Sequence, residues 1–351
     1  MMKDEGKIKI LGAGPAGLTA AINLAKRGYN VKVFEKNEDC GMRFRGDFQG
    51  LENWSSRSDI LDDIKSMNIS INFWHKPVFQ CEFYDFKLNK RIVRFKRPGL
   101  YLVKRGAVKG SLDLSLKEQA IRSGVEIIFK RKVTEKEVNI IAGGPRRIDG
   151  IVRGMTFETE TEHPPIVILN DDLAPKSFAY LLISEGKGCL GTGLTKNYRM
   201  ASEYFERALK TFRKIVALDI SNAKMFTGYG NFFLMKDYEQ NGKIYGGEAA
   251  GLQDFLFAFG LRQAITSGYL AAISVIENKS YDKLIKRRFQ QQLETSITNR
   301  FLFSLMGNRG YSFFLKKSRK IKDPLRGMYK QYNSSFLKKV IFPLARIALR
   351  K

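Results

Sequence analysis

A glycine-rich segment near the start of the chain strongly limits what it can fold into. The apolar segment 7–11 leads directly into Gly12-x-Gly14-x-x-Gly17, and a second apolar segment ends at Glu35. In a strand–turn–helix unit, the first glycine forms the tight turn and the second lets a pyrophosphate approach the backbone. The third lets the helix pack on the sheet. The order of these signals predicts a β-α-β unit that binds a dinucleotide at the N-terminus of its helix.

The acid at the end of the second apolar segment narrows the choice of dinucleotide. Glu35 lies 18 residues after Gly17, close to the spacing of about 20 that is typical of the acid that binds a ribose 2′-hydroxyl. An arginine here would favour a 2′-phosphate instead, so the acid leaves FAD or NAD. The residues of this unit that we expect to contact the cofactor are Gly12, Gly14, Pro15, Ala16, Gly17, Glu35 and Lys36.

Composition excludes several classes of protein. The 351 residues, 44% of them hydrophobic and 12% aromatic, suit a globular protein of two domains or one large one. Three cysteines without a C-x-x-C pair suggest a reducing compartment and exclude dithiol chemistry. With two histidines, a histidine-built metal site is not expected, and no apolar run reaches the ~18 residues of a spanning helix. We therefore expect a cytoplasmic protein.

Positive charge is concentrated at the end of the chain. Of the formal net charge of +26, residues 283–351 contribute 18 lysines and arginines against two acids. Here basic residues alternate with Phe, Leu and Ile, a composition that favours a helix lying on an anionic membrane, which would make the protein peripheral on the inner face. The alternative is an ordinary packed helix with a solvated basic face. Nucleic acid is an unfavoured partner because no recognised binding module is present.

The hydrophobic pattern between these ends predicts an α/β fold with two interleaved domains. Periodicity indicates helices over 59–67, 111–123, 200–215 and 261–277, and strands over 125–132, 137–142, 151–158 and 166–169. Alternation over 69–105 and a turn within 178–194 predict antiparallel strands, whereas the glycine-spaced segment 40–55 reads as a loop. We assign 1–68, 106–150 and 236–282 to a Rossmann-like dinucleotide-binding domain, which the resemblance described next makes an FAD-binding domain. We assign 69–105 and 151–235 to an antiparallel-sheet substrate domain, and 283–351 to a basic helical C-terminal region.

Three later motifs follow the first unit in a specific order. They are YLVKR at 101–105, IIAGG at 140–144 and GEAAG at 247–251. This arrangement resembles the geranylgeranyl reductase family, FAD-dependent flavoproteins of the para-hydroxybenzoate hydroxylase fold. That family shows Tyr-x-Val-x-Arg, a strand with a small-residue turn, and Gly-Asp-Ala-Ala-Gly followed by Gly-x-x-Asp-Pro-Leu-x-Gly-Glu-Gly. The positions that coincide in the last stretch are Gly251, Asp254, Leu256 and Gly260.

The resemblance implies roles for particular residues. Glu248 stands where the family Asp binds the ribityl or phosphate-linked part of FAD, and Arg105 matches the Arg near the ribityl and adenine side. Gly260 and Leu261 would open a helix whose positive end faces the flavin ring and stabilises charge that develops on reduction. The remaining residues that we expect to line the cofactor are Arg45, Gly46, Gly143 and Gly247.

The chain also departs from the family pattern. The strand that reads Tyr-x-Trp-x-Phe-Pro in the family keeps Tyr180 but has Leu182 for Trp and Ser184 for Phe. The Glu of Gly-Glu-Gly is Phe259, which makes the pocket more apolar. Tyr180 is a candidate proton donor or a part of the cavity wall, with a hairpin tyrosine packed on the core as the alternative.

The implied function is an FAD-dependent oxidoreductase that reduces C=C bonds of a prenyl or other lipid-like substrate. No second convincing nucleotide fingerprint follows, so the electrons would come from transiently bound NAD(P)H or from an acidic carrier such as ferredoxin, which a basic surface would steer. A flavin-dependent monooxygenase and a membrane-associated flavin-binding protein without catalysis are the alternatives.

Overall fold

The computed structural model describes residues 7–349. Its strands, in chain order, are β1 (Lys7–Leu11), β2 (Asn30–Phe34), β3 (Arg45–Glu52), β4 (His75–Val78), β5 (Gln80–Tyr84), β6 (Lys90–Arg94), β7 (Leu100–Gly106), β8 (Glu126–Ile128), β9 (Ile140–Ile141), β10 (Gly150–Glu158), β11 (Ile166–Ile168), β12 (Ala179–Ser184), β13 (Lys187–Leu194), β14 (Ser221–Gly230), β15 (Glu239–Gln240) and β16 (Lys243–Tyr245). The helices are α1 (Pro15–Ala25), α2 (Ile60–Ser66), α3 (Leu112–Arg122), α4 (Ala201–Ile215), α5 (Leu261–Ile276), α6 (Tyr281–Ser318), α7 (Pro324–Gln331) and α8 (Phe336–Ala348).

One sheet forms the predicted nucleotide-binding half. Its strand order is β15-β16-β9-β1-β2-β8, and β1 pairs in parallel with both β2 and β9. Ile8 and Ile10 of β1 are buried, and α1 follows β1 directly, as the glycine motif predicts. All six strands fall within 1–68, 106–150 and 236–282. The parallel core places the ends of β1, β2 and β9 at one edge, where α1 begins.

A second sheet is mostly antiparallel and has seven strands, and β3, β7 and β4 form a third, smaller sheet. The order of the second sheet is β14-β10-β13-β12-β11-β5-β6, and its only parallel neighbours among the described residues are β11 and β5. The predicted hairpin is present as β12 and β13, with Tyr180 opposite Gly191. α4 packs Phe205 and Phe212 into the core cluster of this sheet. The α/β fold class with an interleaved antiparallel sheet is as predicted.

The loop predicted over 40–55 is wrong over Arg45–Glu52, which forms a strand. β3 lies there and pairs with β7, which β4 flanks on its other edge. The glycines that obscure the strand pattern have local causes. Gly46 adopts φ +83° beside a shift of register, and a Cβ on Gly50 would lie 2.4 Å from the Phe259 ring. A bulge and a close ring contact therefore explain residues that look like loop signals.

Other strands differ from the sequence prediction in length. The strands predicted over 125–132 and 137–142 are present as the shorter strands β8 and β9. A 3₁₀ turn at Glu135–Glu137 takes the place of the start of the second one. β14 was not predicted: its first five residues are exposed and polar or small for the most part, as at the edge of a sheet.

The C-terminal region is not a separate basic appendage. The first half of α6 belongs to the main core, where Tyr281, Ile285, Phe289 and Ile297 are all fully buried. α6 bends at Gly307, which has φ 62° and ψ −175°. The packed-helix alternative therefore holds for the start of this region. Within 7–349, no helix is long and apolar enough to cross a membrane.

We expect Phe289→Ala to lower the free energy of unfolding by about 3–5 kcal/mol, because it leaves a cavity in the main core. The matched control is Arg287→Ala on the exposed face of the same helix, which should change stability by less than about 0.5 kcal/mol. Denaturant unfolding of the full chain measures both. Equal stability of the two variants would contradict the placement of α6 in the core.

Candidate cofactor and active site

The turn between β1 and α1 is fixed by two glycines that the backbone itself requires. Gly12 has φ +100° and donates its N–H to the Phe34 carbonyl at 2.8 Å. A Cβ at Gly12 would lie 2.4 Å from the Ala142 carbonyl oxygen, and one at Gly17 would lie 2.0 Å from the Gly12 carbonyl oxygen. Both contacts are with backbone, which cannot move away. The predicted roles of these glycines in turn and helix packing therefore match the geometry.

Gly14 differs because neither its conformation nor its neighbours require glycine. Its backbone is extended, with φ −86° and ψ 178°, and a Cβ there would meet no heavy atom within 4 Å in the part of the chain that the structure describes. It is the N-cap of α1, and no described side chain caps the first turn, which begins with Pro15. The open space lies in front of free helix N–H groups, where a pyrophosphate fits.

Glu35 is held at the end of β2 beside this turn. Its Oε2 accepts the Ala13 N–H at 3.1 Å, and its Oε1 accepts both the backbone and the side-chain N–H of Asn37, at 3.0 and 2.7 Å. A carboxylate offers about four acceptor positions, so capacity remains for a ribose hydroxyl. Lys36 is exposed next to it. Ala13 and Asn37 were not singled out from the sequence, although both flank predicted residues.

Glu248 lies across the turn and has an unused oxygen. It sits in the 3₁₀ turn Gly247–Ala250, which Gly247 enters with φ +59°. Glu248 Oε2 accepts from Arg43 Nη1 at 2.8 Å, whereas Oε1 is buried with no partner among the described residues. Asn231 donates to the Glu248 carbonyl at 3.1 Å. A buried acceptor without a donor is costly, so a ligand hydroxyl at Oε1 fits the site. Arg43, which the sequence did not single out, is the partner of this acid.

The other predicted lining residues lie at turns and at a helix N-terminus. A Cβ on Gly143 would lie 2.4 Å from a methyl group of Leu11, so this turn approaches β1 closely. Gly260 is the N-cap of α5, whose first residue is Leu261, and no described side chain caps it. Gly46 turns the chain with φ +83°, while the Arg45 side chain is exposed. Whether each touches the cofactor stays a prediction.

Arg105 is committed to a protein partner. Its guanidinium donates to both oxygens of Asp113, at 2.8 and 2.9 Å, and to Gln49 Oε1 at 2.6 Å. It is buried and stacks over the Phe44 ring, 4.2 Å from the centroid. Bidentate pairing of this kind fixes geometry. Arg105 therefore holds the loop before β3 against α3, and its predicted contact with the cofactor stays a prediction.

Tyr180 lies in a small polar cluster at the inner side of β12. Its ring crosses Gly191 on β13, where a Cβ would be 2.6 Å from the Tyr180 hydroxyl oxygen. The Cys189 thiol and the Asp47 carboxylate interact with this hydroxyl. Burial, reinforced by Cys189 and Asp47, raises the pKa of Tyr180 well above its ordinary value. Tyr180 therefore keeps its proton at neutral pH.

Asp47 acts electrostatically on Tyr180 and was not singled out from the sequence. It is buried on β3, and burial raises the pKa of its carboxyl even though the Arg45 N–H donates to it at 2.9 Å. Asp47 directly follows the predicted pair Arg45-Gly46, which is the only sequence signal that could have drawn attention to it.

An aromatic row leads away from Tyr180. Phe178 lies 6.4 Å from Tyr180 and 6.4 Å from Phe257, measured between ring centroids. Trp54 follows, 6.0 Å from Phe257 and 4.7 Å edge-on from Phe259. α7 packs against this end of the row. The replacement of the family Glu by Phe259 thus extends an apolar wall.

Comparison with known proteins supports the fold. Residues 10–49 match the NAD(P)-binding Rossmann-like domain. A segment of 157 residues is 36% identical to the PreT subunit of an NAD-dependent dihydropyrimidine dehydrogenase from Escherichia coli O157:H7. That segment is 42% of this chain and spans only about a third (35%) of the length of the relative.

Solved structures match over nearly the whole chain. A geranylgeranyl bacteriochlorophyll reductase-like protein from Thermoplasma acidophilum has a TM-score of 0.69 at 18% identity, with 98% of each chain covered. A flavin-dependent brominase has a TM-score of 0.63 at 16% identity, again with 98% of each chain covered. The chain therefore has the fold of the FAD-dependent oxidoreductases. The predicted fold class is confirmed, and FAD as the cofactor stays a prediction.

We expect Arg105→Ala to destabilise the protein by about 3–5 kcal/mol even without FAD, because it leaves Asp113 buried and unpaired. Arg105→Lys should not restore stability fully, since an ammonium cannot form the bidentate pair. Arg207→Ala removes a half-exposed pair with Glu203 and serves as the control, at less than about 1 kcal/mol. If Arg105→Ala changed only FAD affinity and not apoprotein stability in denaturant unfolding, the structural role would be wrong.

Proposed function

We propose that this protein is an FAD-dependent oxidoreductase that reduces C=C bonds of a prenyl or other lipid-like substrate. The observation that carries the proposal is the position of the half-buried Tyr180, a protonated hydroxyl at the end of an aromatic row. The pyrophosphate of the cofactor would occupy the open space at Gly14. The Glu35 carboxylate and the unpaired oxygen of Glu248 would accept hydrogen bonds from the cofactor. The fold shared with FAD-dependent enzymes supports this assignment.

The reaction needs two hydrogens on the substrate, one as hydride and one as proton. Reduced FAD supplies hydride when it is bound. Tyr180 supplies the proton to the second carbon, because its raised pKa keeps it protonated. The Cys189 thiol, which is hydrogen-bonded to the hydroxyl, orients it, and the Asp47 carboxylate acts on it electrostatically. Solvent returns the proton to Tyr180, which completes the balance of the addition.

The apolar row favours a hydrocarbon over a polar substrate. Phe178, Phe257 and Trp54 line it with aromatic carbon, and Phe259 removes a carboxylate that the family pattern would place there. Burial of isoprenoid or acyl surface against such side chains is favourable at about 25 cal/mol per Å². The particular lipid is left to experiment.

The electron donor is proposed to be NAD(P)H bound transiently or an acidic carrier such as ferredoxin. The net charge of +26 would accelerate encounter with an acidic carrier at low ionic strength. Salt that slows reduction by the carrier, but not by NAD(P)H, would distinguish the two donors.

A flavin-dependent monooxygenase is the second candidate, because the fold is also shared with an enzyme of different flavin chemistry, a flavin-dependent brominase. Anaerobic mixing of the reduced protein with lipids that contain isolated C=C bonds separates the two functions. Reoxidation of the flavin without oxygen, with a product heavier by two hydrogens, supports the reductase. Substrate turnover that requires oxygen supports the monooxygenase.

We expect Gly14→Val to abolish FAD binding while leaving the fold intact, because valine adopts the extended backbone of this position and its side chain fills the pyrophosphate space. Gly228→Val on β14 is the control, since the nearest heavy atom to its Cβ is 3.9 Å away. Flavin absorbance of the purified variants and their melting curves measure both properties. Full flavin content in Gly14→Val would contradict the assignment of the pyrophosphate site.

We expect Tyr180→Phe to slow product formation by roughly 10²–10⁴-fold, the usual contribution of a positioned proton donor, without a change in FAD affinity. In wild type, the rate should show no loss from tyrosine ionisation between pH 6 and about 9, because the pKa of Tyr180 lies well above that range. Tyr198→Phe, at an exposed tyrosine, is the control. An unchanged rate in Tyr180→Phe under single-turnover conditions would remove it from the chemistry.

A further inference from the structure

Helix α8 is apolar on two opposite faces, and the protein covers only one of them. Ala345 is fully buried, and Ile341 and Phe342 pack against the main core. The residues on the other face have large exposed fractions: Phe336 84%, Leu337 66%, Val340 59%, Leu344 58% and Ile347 75%. We call these five side chains the outer stripe.

The exposed apolar side chains of the outer stripe are clustered rather than scattered over the surface. Phe336, Val340, Leu344 and Ile347 are spaced by four, four and three residues, which places them along one side of a helix. The 13 residues of α8 carry five of the 18 large exposed hydrophobic side chains found in the described part of the chain. Single exposed hydrophobic residues need no explanation, but a contiguous stripe marks an interaction surface.

Charge identifies the occupant of this surface. From residue 319 to the end, the sequence contains ten lysines and arginines against a single acid, Asp323. Lys339 and Arg346 are exposed on α8 itself. A second copy of the chain would bring the same positive charge to the contact, whereas nucleic acid would leave the outer stripe in water. An anionic lipid surface provides both apolar depth and negative charge.

We propose that α8 docks this protein on anionic membranes, with the outer stripe at the boundary between headgroups and acyl chains. The basic residues lie at the headgroups. Since the inner face of α8 stays packed on the core, the helix attaches the folded protein to the membrane while it remains part of the fold. The inference depends on α8 alone and is independent of the cofactor and of the reaction proposed above.

Co-sedimentation of the full-length protein with vesicles tests the proposal. The vesicles are phosphatidylcholine alone, or equal parts of phosphatidylcholine and phosphatidylglycerol, at low and high salt. The stripe variant is Phe336→Gln, Val340→Gln and Ile347→Gln. The control variant, at other exposed side chains, is Phe79→Gln, Ile121→Gln and Ile148→Gln. Because all six side chains are exposed, both variants should melt at the temperature of the wild type.

Wild type and the control variant should bind anionic vesicles and lose binding at high salt, and the stripe variant should bind them at least about tenfold more weakly. Three results would each overturn the proposal: equal binding by wild type and the stripe variant, no preference for phosphatidylglycerol, or equal weakening in the control variant. Light scattering without vesicles tests the remaining possible occupant, a second copy of the chain. A wild-type dimer that the stripe variant converts to monomer would assign the outer stripe to a second copy.

Discussion

Contact between backbones at the start of α1 is the constraint on which the rest of the structure depends. Gly17 lies against Gly12, and a Cβ on Gly268 of α5 would be 2.1 Å from the Ala16 carbonyl oxygen. Such contacts tolerate no side chain, so they bring β1, β9, α5 and the turn at Gly247 to one point. At Gly14, by contrast, an added Cβ would meet no described heavy atom within 4 Å. The fold is therefore closed around a space that it does not fill itself.

Two ion pairs link the turn at the start of α1 to β3 and, through β3, to the second sheet. Arg105 and Asp113 fix the loop before β3, and Arg43 from that loop reaches Glu248 on the opposite side of the opening. β3 then carries Asp47 to Tyr180 on β12. The residues around the glycine turn and the proposed proton donor are thus connected through β3. This connection explains how two interleaved sheets can together form one cofactor site and one apolar wall.

The sequence predicts the parts of this arrangement that depend on local signals. The turn, α1 and Glu35 follow from glycine spacing and periodicity within 30 residues. Arg43 with Glu248 joins positions 205 residues apart, and no local pattern encodes that contact. β3 was missed because Gly46 and Gly50 serve a bulge and a ring contact. The packed start of α6 could have been found from the sequence, since the buried residues Ile285, Phe289, Leu293 and Ile297 recur every four residues. The basic composition of this region suggested a separate tail instead.

Titration of the apoprotein with FAD, FMN and NAD, followed by calorimetry, shows whether the chain builds a complete FAD site from its own residues. We expect one FAD per chain, bound at least about tenfold more tightly than FMN, because FMN lacks the ribose for which Glu35 is held in place. Failure of FAD to bind, equal affinity for FMN, or a preference for NAD would contradict the account.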